Sequence, residues 1–302
     1  MGNHTWPGLV IVRAEPTPGA LLSVVQAIIL GIVQGLTEFL PVSSSGHLIL
    51  VPWLFHWTFF LEHPDLNKTF DVALHIGTFV GAATYFRADI ARYLGAFFRS
   101  VRRRTVLAVD ERLAWYLIVA SIPGALAGAV GESFIEKHLG QPWLIAVMLA
   151  LFGVVLLVVD HRAKQQRHIE QITIGDAVLM GIAQAVALSP GVSRAGVTIT
   201  AGRARALTRD ATVRFSFLMS LPIIGGAGLY KGLKLAKDGL PPGTAAPFVW
   251  GMIASAVTGF AAVWFVLRFI RRHSFDAFAV YRVLAALTVF GVILSGLRPA
   301  RG

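Results

Sequence analysis

Residues 31–50 read GIVQGLTEFLPVSSSGHLIL, and residues 181–202 read GIAQAVALSPGVSRAGVTITAG. The two stretches align from their first residue, and in each an apolar run is interrupted by Pro and Ser and followed by Gly. A duplicated apolar segment that is broken at its centre is typical of a discontinuous membrane helix. The first copy carries Glu38 and His47, and the second carries Arg194. Ionisable groups at bilayer depth are costly unless they are paired or hydrated, so these side chains are candidates for function.

The composition of the whole chain indicates a membrane protein. Of its 302 residues, 55% are hydrophobic and 14% are charged, whereas soluble domains carry about 25% charged residues. The net charge of +11 would suit a nucleic-acid partner, but the Arg and Lys residues lie between apolar segments, as the positive-inside rule predicts. We therefore expect no nucleic-acid partner. The sequence contains no Cys, which excludes disulfides, thiolate nucleophiles and iron–sulfur clusters.

Apolar segments of helical length follow residues 1–20, which we interpret as a polar N-terminal extension. The segments are 21–38, 44–58, 70–87, 113–131, 142–159, 173–188, 193–207, 212–233, 245–268 and 277–297. A membrane-spanning helix needs about 20 residues. In each half of the chain, the first two segments are short and meet at the broken motif. Each half is therefore predicted to begin with a re-entrant helix hairpin and to continue with three crossings.

The fold class that follows is an all-α polytopic membrane protein of about ten helices, built as an inverted repeat. The first repeat is 21–160 and the second is 173–298, within a single membrane domain 21–298. Placing the basic links of the chain in the cytoplasm satisfies the positive-inside rule. Three crossings per half is an odd number, so the first hairpin enters from outside and the second from inside. Irregular backbone at membrane depth must be buried in protein or line a wet cavity, so both tips should face one cavity.

Three stretches resemble a known family. They are LGIVQGLTEFLPVSSSGHLIL at 30–50, PGVSRAGVTITAG at 190–202 and FSFLMSLPIIGGA at 215–227, and they are similar to signatures of the undecaprenyl pyrophosphate phosphatases, also called the bacitracin-resistance family. The resemblance covers about residues 21–297. It implies removal of the terminal phosphate from a C55 polyprenyl diphosphate in the bacterial plasma membrane, which recycles the lipid carrier for cell-wall synthesis. Many members have Glu where this chain has Gln34, and Ser where it has Ala195.

Hydrolysis of a diphosphate needs an aligned nucleophile and cationic groups around the phosphate oxygens. Arg194 can donate two parallel hydrogen bonds to phosphate oxygens. By resemblance, Ser44 is the best candidate to contact or attack the phosphate. His47 lies one turn further on the same helix and can act as acid, base or nucleophile. The predicted catalytic residues are Glu38, Ser44, His47 and Arg194, and whether Ser44 or His47 attacks is open.

Residues around these four are predicted to bind the substrate, since backbone N–H groups next to Gly and at helix N-termini bind anions. The predicted binding residues are Gln34, Ser43, Ser45, Gly46, Ser193, Gly196 and Thr198. Glu38 lies one turn after Gln34, so the pair could hold a divalent cation, either Mg2+ or Ca2+. The alternatives are structural: serines that cap a helix, and a protonated Glu38 or a His47 that is hydrogen-bonded within the bundle.

Two further alternatives concern the site and the function. Asp71 and His75 form an i, i+4 pair that could orient His47 or a metal ligand, or could serve only their own helix. A polyprenyl-phosphate flippase is the second candidate function, because inverted repeats with broken helices are common in transporters. The set of Ser, His, Glu and Arg favours hydrolysis. The expected partners are the polyprenyl diphosphate and the bilayer, with a homodimer also compatible, and the site is predicted to open to the periplasmic or extracellular side.

Overall fold

The computed structural model describes residues 22–57, 59, 64–240 and 243–300, so the predicted extension 1–20 lies outside the described residues. Within them, the regular secondary structure consists of eleven α-helices and one 3₁₀ turn at Ile169–Gln171. The helices are α1 (Val24–Phe39), α2 (Ser44–Phe55), α3 (Pro64–Tyr85), α4 (Arg87–Arg103), α5 (Val109–Leu139), α6 (Pro142–Arg162), α7 (Ile174–Val186), α8 (Arg194–Ala204), α9 (Arg209–Asp238), α10 (Ala245–Phe269) and α11 (Asp276–Leu294). The predicted all-α fold is confirmed.

Helix α4 was not among the ten predicted helices, because the sequence of this segment indicated only a basic link. It buries Tyr93 and Ser100 against the bundle, and the Trp115 indole N–H of α5 donates a hydrogen bond to Ser100 Oγ at 2.9 Å. On another face Leu94 and Phe98 are 53% and 64% exposed. A helix with this many Arg residues is too polar to span a membrane. It is stabilised by packing one face on α5, and a hydropathy pattern does not show such packing.

Five helices are long and apolar enough to cross a membrane, within the part of the chain that the structure describes. They cover residues 109–131, 142–162, 209–230, 245–269 and 276–294. These helices confirm the polytopic membrane class. The sixth predicted crossing corresponds to α3, which has sufficient length at 22 residues but carries Lys68 and Asp71 in its first two turns. That crossing stays a prediction.

Hydrogen bonds between chain segments define two ends of the bundle. At the first, which we call the C-terminal end, the Trp53 indole N–H donates to the Pro299 carbonyl at 3.1 Å and Arg298 Nε donates to the Leu54 carbonyl at 3.3 Å. This end therefore holds the end of α2 and the residues after α11. Leu22, before α1, belongs to the same buried cluster as Phe59, after α2. Both ends of the first hairpin, α1–α2, lie at the C-terminal end.

The second end, which we call the basic end, contains two clusters of arginine around a buried carboxylate. Asp176, in the first turn of α7, binds Arg167 at 2.5 Å and Arg205 at 2.8 Å. Since Arg205 directly follows α8, the second hairpin, α7–α8, begins and ends at the basic end. The other cluster joins Asp160 near the end of α6 to Arg203 and Arg209. The two hairpins thus enter the bundle from opposite ends, as predicted.

The first helix of each hairpin packs along a long helix of the other repeat. Helix α1 lies mainly against α10, and α7 lies mainly against α5. The α1–α10 contact is close: a Cβ at Gly35 would lie 2.6 Å from the Ser255 carbonyl oxygen and would overlap the Thr258 hydroxyl. This reciprocal packing is what an inverted repeat predicts, and it brings the two hairpin tips together.

Candidate active site

The two hairpins are broken in the same way. Ser43 before α2 has φ of 79°, and Ser193 before α8 has φ of 72°. Each Ser Oγ accepts a hydrogen bond from the backbone N–H three residues later, at Gly46 (3.4 Å) and at Gly196 (3.1 Å). A side chain at such positive φ costs about 1–3 kcal/mol and is retained mainly at functional sites. Both serines are therefore helix caps that hold a strained turn.

The tips of the hairpins contact each other directly. The N–H of Gly191, in the second hairpin, donates a hydrogen bond to Ser43 Oγ in the first at 3.0 Å. The contact confirms the expectation that both tips face one place. It also places the N-termini of α2 and α8 side by side, each of which favours an anion.

Glu38, at the end of α1, is the centre of the polar site. The Ser44 hydroxyl and the Arg194 guanidinium both donate to its carboxylate. Gln34 Nε2 donates to Glu38 Oε2 at 3.0 Å, and His75 Nε2 of α3 lies 3.6 Å from the same oxygen. Only 6% of Glu38 is exposed, and a buried carboxylate is tolerated when it is paired and hydrogen-bonded in this way. The site thus joins α1, α2, α3 and α8.

A cavity of about 290 Å³ extends from this cluster. Its polar lining includes Glu38, Ser43, Ser44, Ser45, His75, Gln184, Ser193 and Arg194, and its apolar lining includes Val72, Leu188, Ile223, Ile224 and Ala227. Val72 lies in the third turn of α3, and Ala227 lies near the end of the apolar span 209–230 of α9. Because α3 begins at the C-terminal end and α9 runs towards it, the cavity extends from the tips towards that end of the bundle.

Six of the predicted site residues line this cavity: Glu38, Ser43, Ser44, Ser45, Ser193 and Arg194. Gln34 is fully buried behind Glu38. Gly46 and Gly196 contribute through their N–H groups to the two serine caps. The Thr198 hydroxyl is directed elsewhere, since it donates to the Arg194 carbonyl at 2.7 Å and lies 2.6 Å from Ser216 Oγ.

His47 does not line the cavity, although it follows Ser44 on the same helix. Its Nδ1 lies 2.7 Å from the Ser43 carbonyl and its Nε2 lies 2.7 Å from the Tyr281 hydroxyl. A carbonyl only accepts, so Nδ1 carries the proton and the neutral ring accepts from Tyr281 at Nε2. Both ring nitrogens therefore have partners away from Glu38. A catalytic role for His47 stays a prediction.

The first N–H groups of α2 and α8 are available to a ligand. Within the described residues, the backbone N–H groups of Ser44 and Ser45 and those of Arg194 and Ala195 form no hydrogen bond. The first turn of a helix has no internal partner for such groups. Together with the Arg194 guanidinium, they form a site for the oxygens of an anion.

Two residues of α11 were missed from the sequence. Tyr281 binds His47, and Arg282 is fully buried against both hairpin tips. A signal was available, because Arg282 is the only charged residue in the apolar stretch 277–294, and an isolated intramembrane Arg is a functional candidate. His75, which we considered only as a supporting residue, lines the cavity beside Glu38.

The expected metal site depends on Glu38 and Gln34. Gln34 Oε1 is buried without a hydrogen-bond partner, and carboxylate and amide oxygens are the ligands that Mg2+ and Ca2+ prefer. These two side chains fit such an ion in kind. The described residues contain no group of three His, Cys, Asp or Glu that could hold a metal, and Arg194 occupies one oxygen of Glu38. The ion stays a prediction.

Fold and site together define a polytopic membrane protein in which a carboxylate, a hydroxyl and a guanidinium meet at a partly apolar cavity, as phosphoryl transfer from a lipid requires. The model of the family described as Bacitracin resistance protein BacA matches residues 27–288, and the chain belongs to this family. A relative from Pelobacter propionicus is 44% identical over 277 residues, covering 91% of this chain and 99% of its own. One from Desulforudis audaxviator is 47% identical over 269 residues, covering 89% and 97%. Both are named undecaprenyl-diphosphatase. The family resemblance seen in the sequence is confirmed.

Proposed function

We propose that this protein hydrolyses undecaprenyl diphosphate to undecaprenyl phosphate and inorganic phosphate. The observation that carries the proposal is the meeting of Arg194, from the second hairpin, with the Ser44–Glu38 pair of the first at the polar end of the cavity. The names of the relatives support the same activity. The reaction would recycle the lipid carrier of cell-wall synthesis in the bacterial plasma membrane and thereby confer resistance to bacitracin.

The cavity lining suits both parts of this substrate. The diphosphate would lie at the N-termini of α2 and α8, where N–H groups and Arg194 can bind its oxygens. Val72, Ile223 and Ile224 give the cavity an apolar surface on which the first prenyl units can pack. In this structure the Arg194 guanidinium pairs with Glu38. Binding of the more highly charged diphosphate would draw it towards the phosphate.

Ser44 is the nucleophile in this proposal, and Glu38 is its base. The Ser44 hydroxyl already donates to Glu38. As Ser44 Oγ attacks the terminal phosphorus, its proton passes to Glu38 and the bond from phosphorus to the bridging oxygen breaks. Undecaprenyl phosphate leaves as a stable anion. Water then attacks the phosphorus of the phosphoserine, and the bond from phosphorus to Ser44 Oγ breaks. Ser44 Oγ takes the proton back from Glu38, and inorganic phosphate leaves with the protons of the water. Gln34, bound to the same carboxylate, would fix the orientation of Glu38.

His47 would act by position rather than by attack. Its ring joins the Ser43 carbonyl to the Tyr281 hydroxyl, which fixes the residue directly before Ser44. The two candidate nucleophiles give different chemical products: a phosphoserine survives an acid quench, whereas a phosphohistidine does not. Mass spectrometry of acid-quenched enzyme should therefore detect phosphate on Ser44. Covalent phosphate that is found only after an alkaline quench and maps to His47 would contradict the assignment.

Glu38 and Gln34 would hold a divalent cation, Mg2+ or Ca2+, once Arg194 has moved to the phosphate. The ion would neutralise negative charge on the diphosphate oxygens. Full loss of activity with a chelator and recovery with either ion would support this part of the proposal. Undiminished activity in excess chelator would contradict the proposed ion. The proposed roles of Ser44, Glu38 and Arg194 would not be affected.

The direction of the cavity suggests which side the site faces. If the basic end lies in the cytoplasm, the cavity extends towards the outer leaflet, on the periplasmic or extracellular side. The flippase alternative is not favoured, because the relatives carry the name of a hydrolase and the proposed nucleophile and base both line the cavity. A homodimer stays a prediction from the sequence.

The decisive experiment measures phosphate release from undecaprenyl diphosphate by the purified protein in detergent. We expect turnover by the wild-type protein and its near-complete loss in Ser44→Ala. Ser295→Ala is the matched control, because Ser295 is an exposed residue at the C-terminal end. It should keep wild-type turnover. The absence of phosphate release from correctly folded wild-type protein would contradict the proposed function.

A further inference from the structure

Arg282 of α11 is a buried cation whose partners are all backbone carbonyls. It is fully buried, and within the described residues it forms no ion pair. Its guanidinium donates to the carbonyls of Pro41, Leu149, Met148, Gly191 and Val192. A buried charge without a counterion costs several kcal/mol unless its donors are satisfied. Here five neutral carbonyls satisfy the donors of the buried guanidinium, and packing alone does not explain why these carbonyls converge on it.

The carbonyls that Arg282 binds belong to both hairpin tips. One guanidinium nitrogen donates to Pro41 at 3.1 Å, in the turn between α1 and α2. The other terminal nitrogen donates to Gly191 at 2.9 Å and to Val192 at 3.0 Å, in the turn between α7 and α8. Nε donates to Leu149 of α6 at 3.0 Å. One rigid planar group thus connects the turn before Ser44 with the turn before Arg194.

Two glycines give the Arg282 side chain its space. A Cβ at Gly196, in the first turn of α8, would lie 2.8 Å from one terminal nitrogen of Arg282. A Cβ at Gly153, on α6, would lie 3.1 Å from Arg282 Cβ and 3.5 Å from Nε. The slot therefore accepts an extended guanidinium and little else. The second motif keeps Gly196 where a larger residue would displace Arg282.

We infer that Arg282 is a positioning residue that holds the two hairpin tips in register, so that Ser44 and Arg194 reach the same phosphate group. It does not touch the substrate, since it lies behind the tips and not among the cavity-lining residues. Lys cannot replace it, because a single ammonium group cannot reach carbonyls in three directions at these distances. The inference rests on the proposed function, because it concerns how that site is assembled.

The test compares Arg282→Lys with Arg203→Lys. Arg203 is matched in burial and also donates to backbone carbonyls, but it lies at the basic end with Asp160. Turnover is measured with undecaprenyl diphosphate per folded molecule, after size-exclusion purification, together with the melting temperature. A displacement of about 1 Å in a reacting group can reduce the rate about 100-fold. We expect Arg282→Lys to lower kcat about that much with KM within about threefold of wild type, whereas Arg203→Lys lowers only the melting temperature.

Gly153→Ala provides a second test if Arg282→Lys does not fold. It keeps the guanidinium, and from α6 it presses on Arg282 Cβ at 3.1 Å and on the Ala279 carbonyl oxygen of α11 at 3.3 Å. We expect a loss of kcat of about tenfold, because a shift of α11 at this contact displaces the guanidinium from the two tips. Wild-type kcat per folded molecule in Gly153→Ala or in Arg282→Lys would overturn the inference. If the wild-type protein itself releases no phosphate, the proposed function fails instead, so the two failures are distinguishable.

Discussion

Arg194 and Glu38 each act as the counterion of the other. The Arg194 side chain is 18% exposed and that of Glu38 is 4% exposed, so the pair is shielded from the screening that weakens ion pairs on protein surfaces. Removing one partner of such a pair leaves a buried charge and costs about 3–5 kcal/mol. Substitutions at these two positions therefore test structure as well as chemistry, and the variants that keep the charge or the shape are the most informative.

Arg194→Lys keeps the positive charge and should still lose most of the activity. A guanidinium can bind two phosphate oxygens in parallel, whereas an ammonium group is a point charge without that geometry. We expect kcat to fall by about 100-fold or more, as typical when one electrostatic group at a transition state is removed. Steady-state kinetics of the purified variant measure this. Turnover close to that of the wild type would mean that Arg194 serves only to orient the protein in the membrane.

Glu38→Gln should be almost inactive, whereas Gln34→Glu should be active. The first change removes the acceptor of the Ser44 proton and leaves Arg194 without its counterion. The second adds a carboxylate beside Glu38 at the position where many family members have Glu. Two neighbouring carboxylates can share one proton, so the base is retained. Phosphate release from both purified variants tests this prediction. Normal hydrolysis by Glu38→Gln would exclude a role of Glu38 as base or metal ligand.

The sequence predicted the members of the site that belong to the two motifs, because each motif is local and its Pro, Ser and Gly residues are recognisable. It did not predict which of them face the cavity. Ser44 and His47 are three residues apart, yet the first binds Glu38 and the second binds Tyr281. The partner that makes the difference is 234 residues away. Arg282 was missed for the same reason: its role depends on carbonyls that only the folded chain brings together.

Glycine determines how closely the helices of the two repeats approach. At Gly35, the α1 backbone lies so near α10 that a Cβ would be 2.6 Å from the Ser255 carbonyl and 2.7 Å from the Gly259 nitrogen. Both are backbone atoms and cannot move without moving the helix. Small residues at such interfaces let membrane helices pack closely, since packing rather than hydrophobic burial drives their association. Gly35 lies one residue after Gln34, so this contact also fixes the position of the face of α1 that carries Gln34 and Glu38.

Gly35→Ala should destabilise the protein strongly. Overpacking of a close contact costs about 1–3 kcal/mol, and we expect the upper part of that range because the obstructing atoms are backbone. Gly128→Ala is the matched control, since nothing lies within 4 Å of a Cβ at Gly128 in α5. The melting temperature of each variant in one detergent measures the difference. Equal melting temperatures would contradict the close packing of α1 on α10.

Helix existence and order followed from apolar segment lengths, and all ten predicted helices are present. Segment ends do not follow from hydropathy in the same way, because α3 begins at Pro64 and the apolar pattern predicts residue 70. Its first turns are polar, and hydropathy gives no signal there. Helix α4 was missed because its stability comes from packing Tyr93 and Ser100 on α5. These differences share one cause. The existence and the ends of polar helices depend on contacts between elements, and such contacts leave no periodic pattern in the sequence.

The molecule as a whole has two chemically different ends and an apolar middle. The basic end gathers Arg residues from α4, from the segment around Arg167, and from the ends of α8 and α10. Large apolar side chains between the ends are exposed, among them Val257 at 64% and Leu284 at 57%. Such a band is expected to face lipid, and an excess of Arg on one side is expected to face the cytoplasm. The same orientation would place the C-terminal end, and the side to which the cavity extends, outside.

Because the chain contains no Cys, single Cys substitutions can test this orientation in spheroplasts with a membrane-impermeant maleimide. Ser295 is exposed at the C-terminal end and Thr105 is exposed at the basic end. We expect Ser295→Cys to be labelled in intact spheroplasts, and Thr105→Cys to be labelled only after permeabilisation. Ala227→Cys, on an exposed residue that lines the cavity, should also be labelled from outside and more slowly with a polyprenyl diphosphate present. The reverse labelling pattern at Ser295 and Thr105 would mean that the protein has the opposite orientation in the membrane. Labelling of Ala227→Cys only after permeabilisation would place the site on the cytoplasmic side, where the lipid released by synthesis outside could not reach it without a separate transport step.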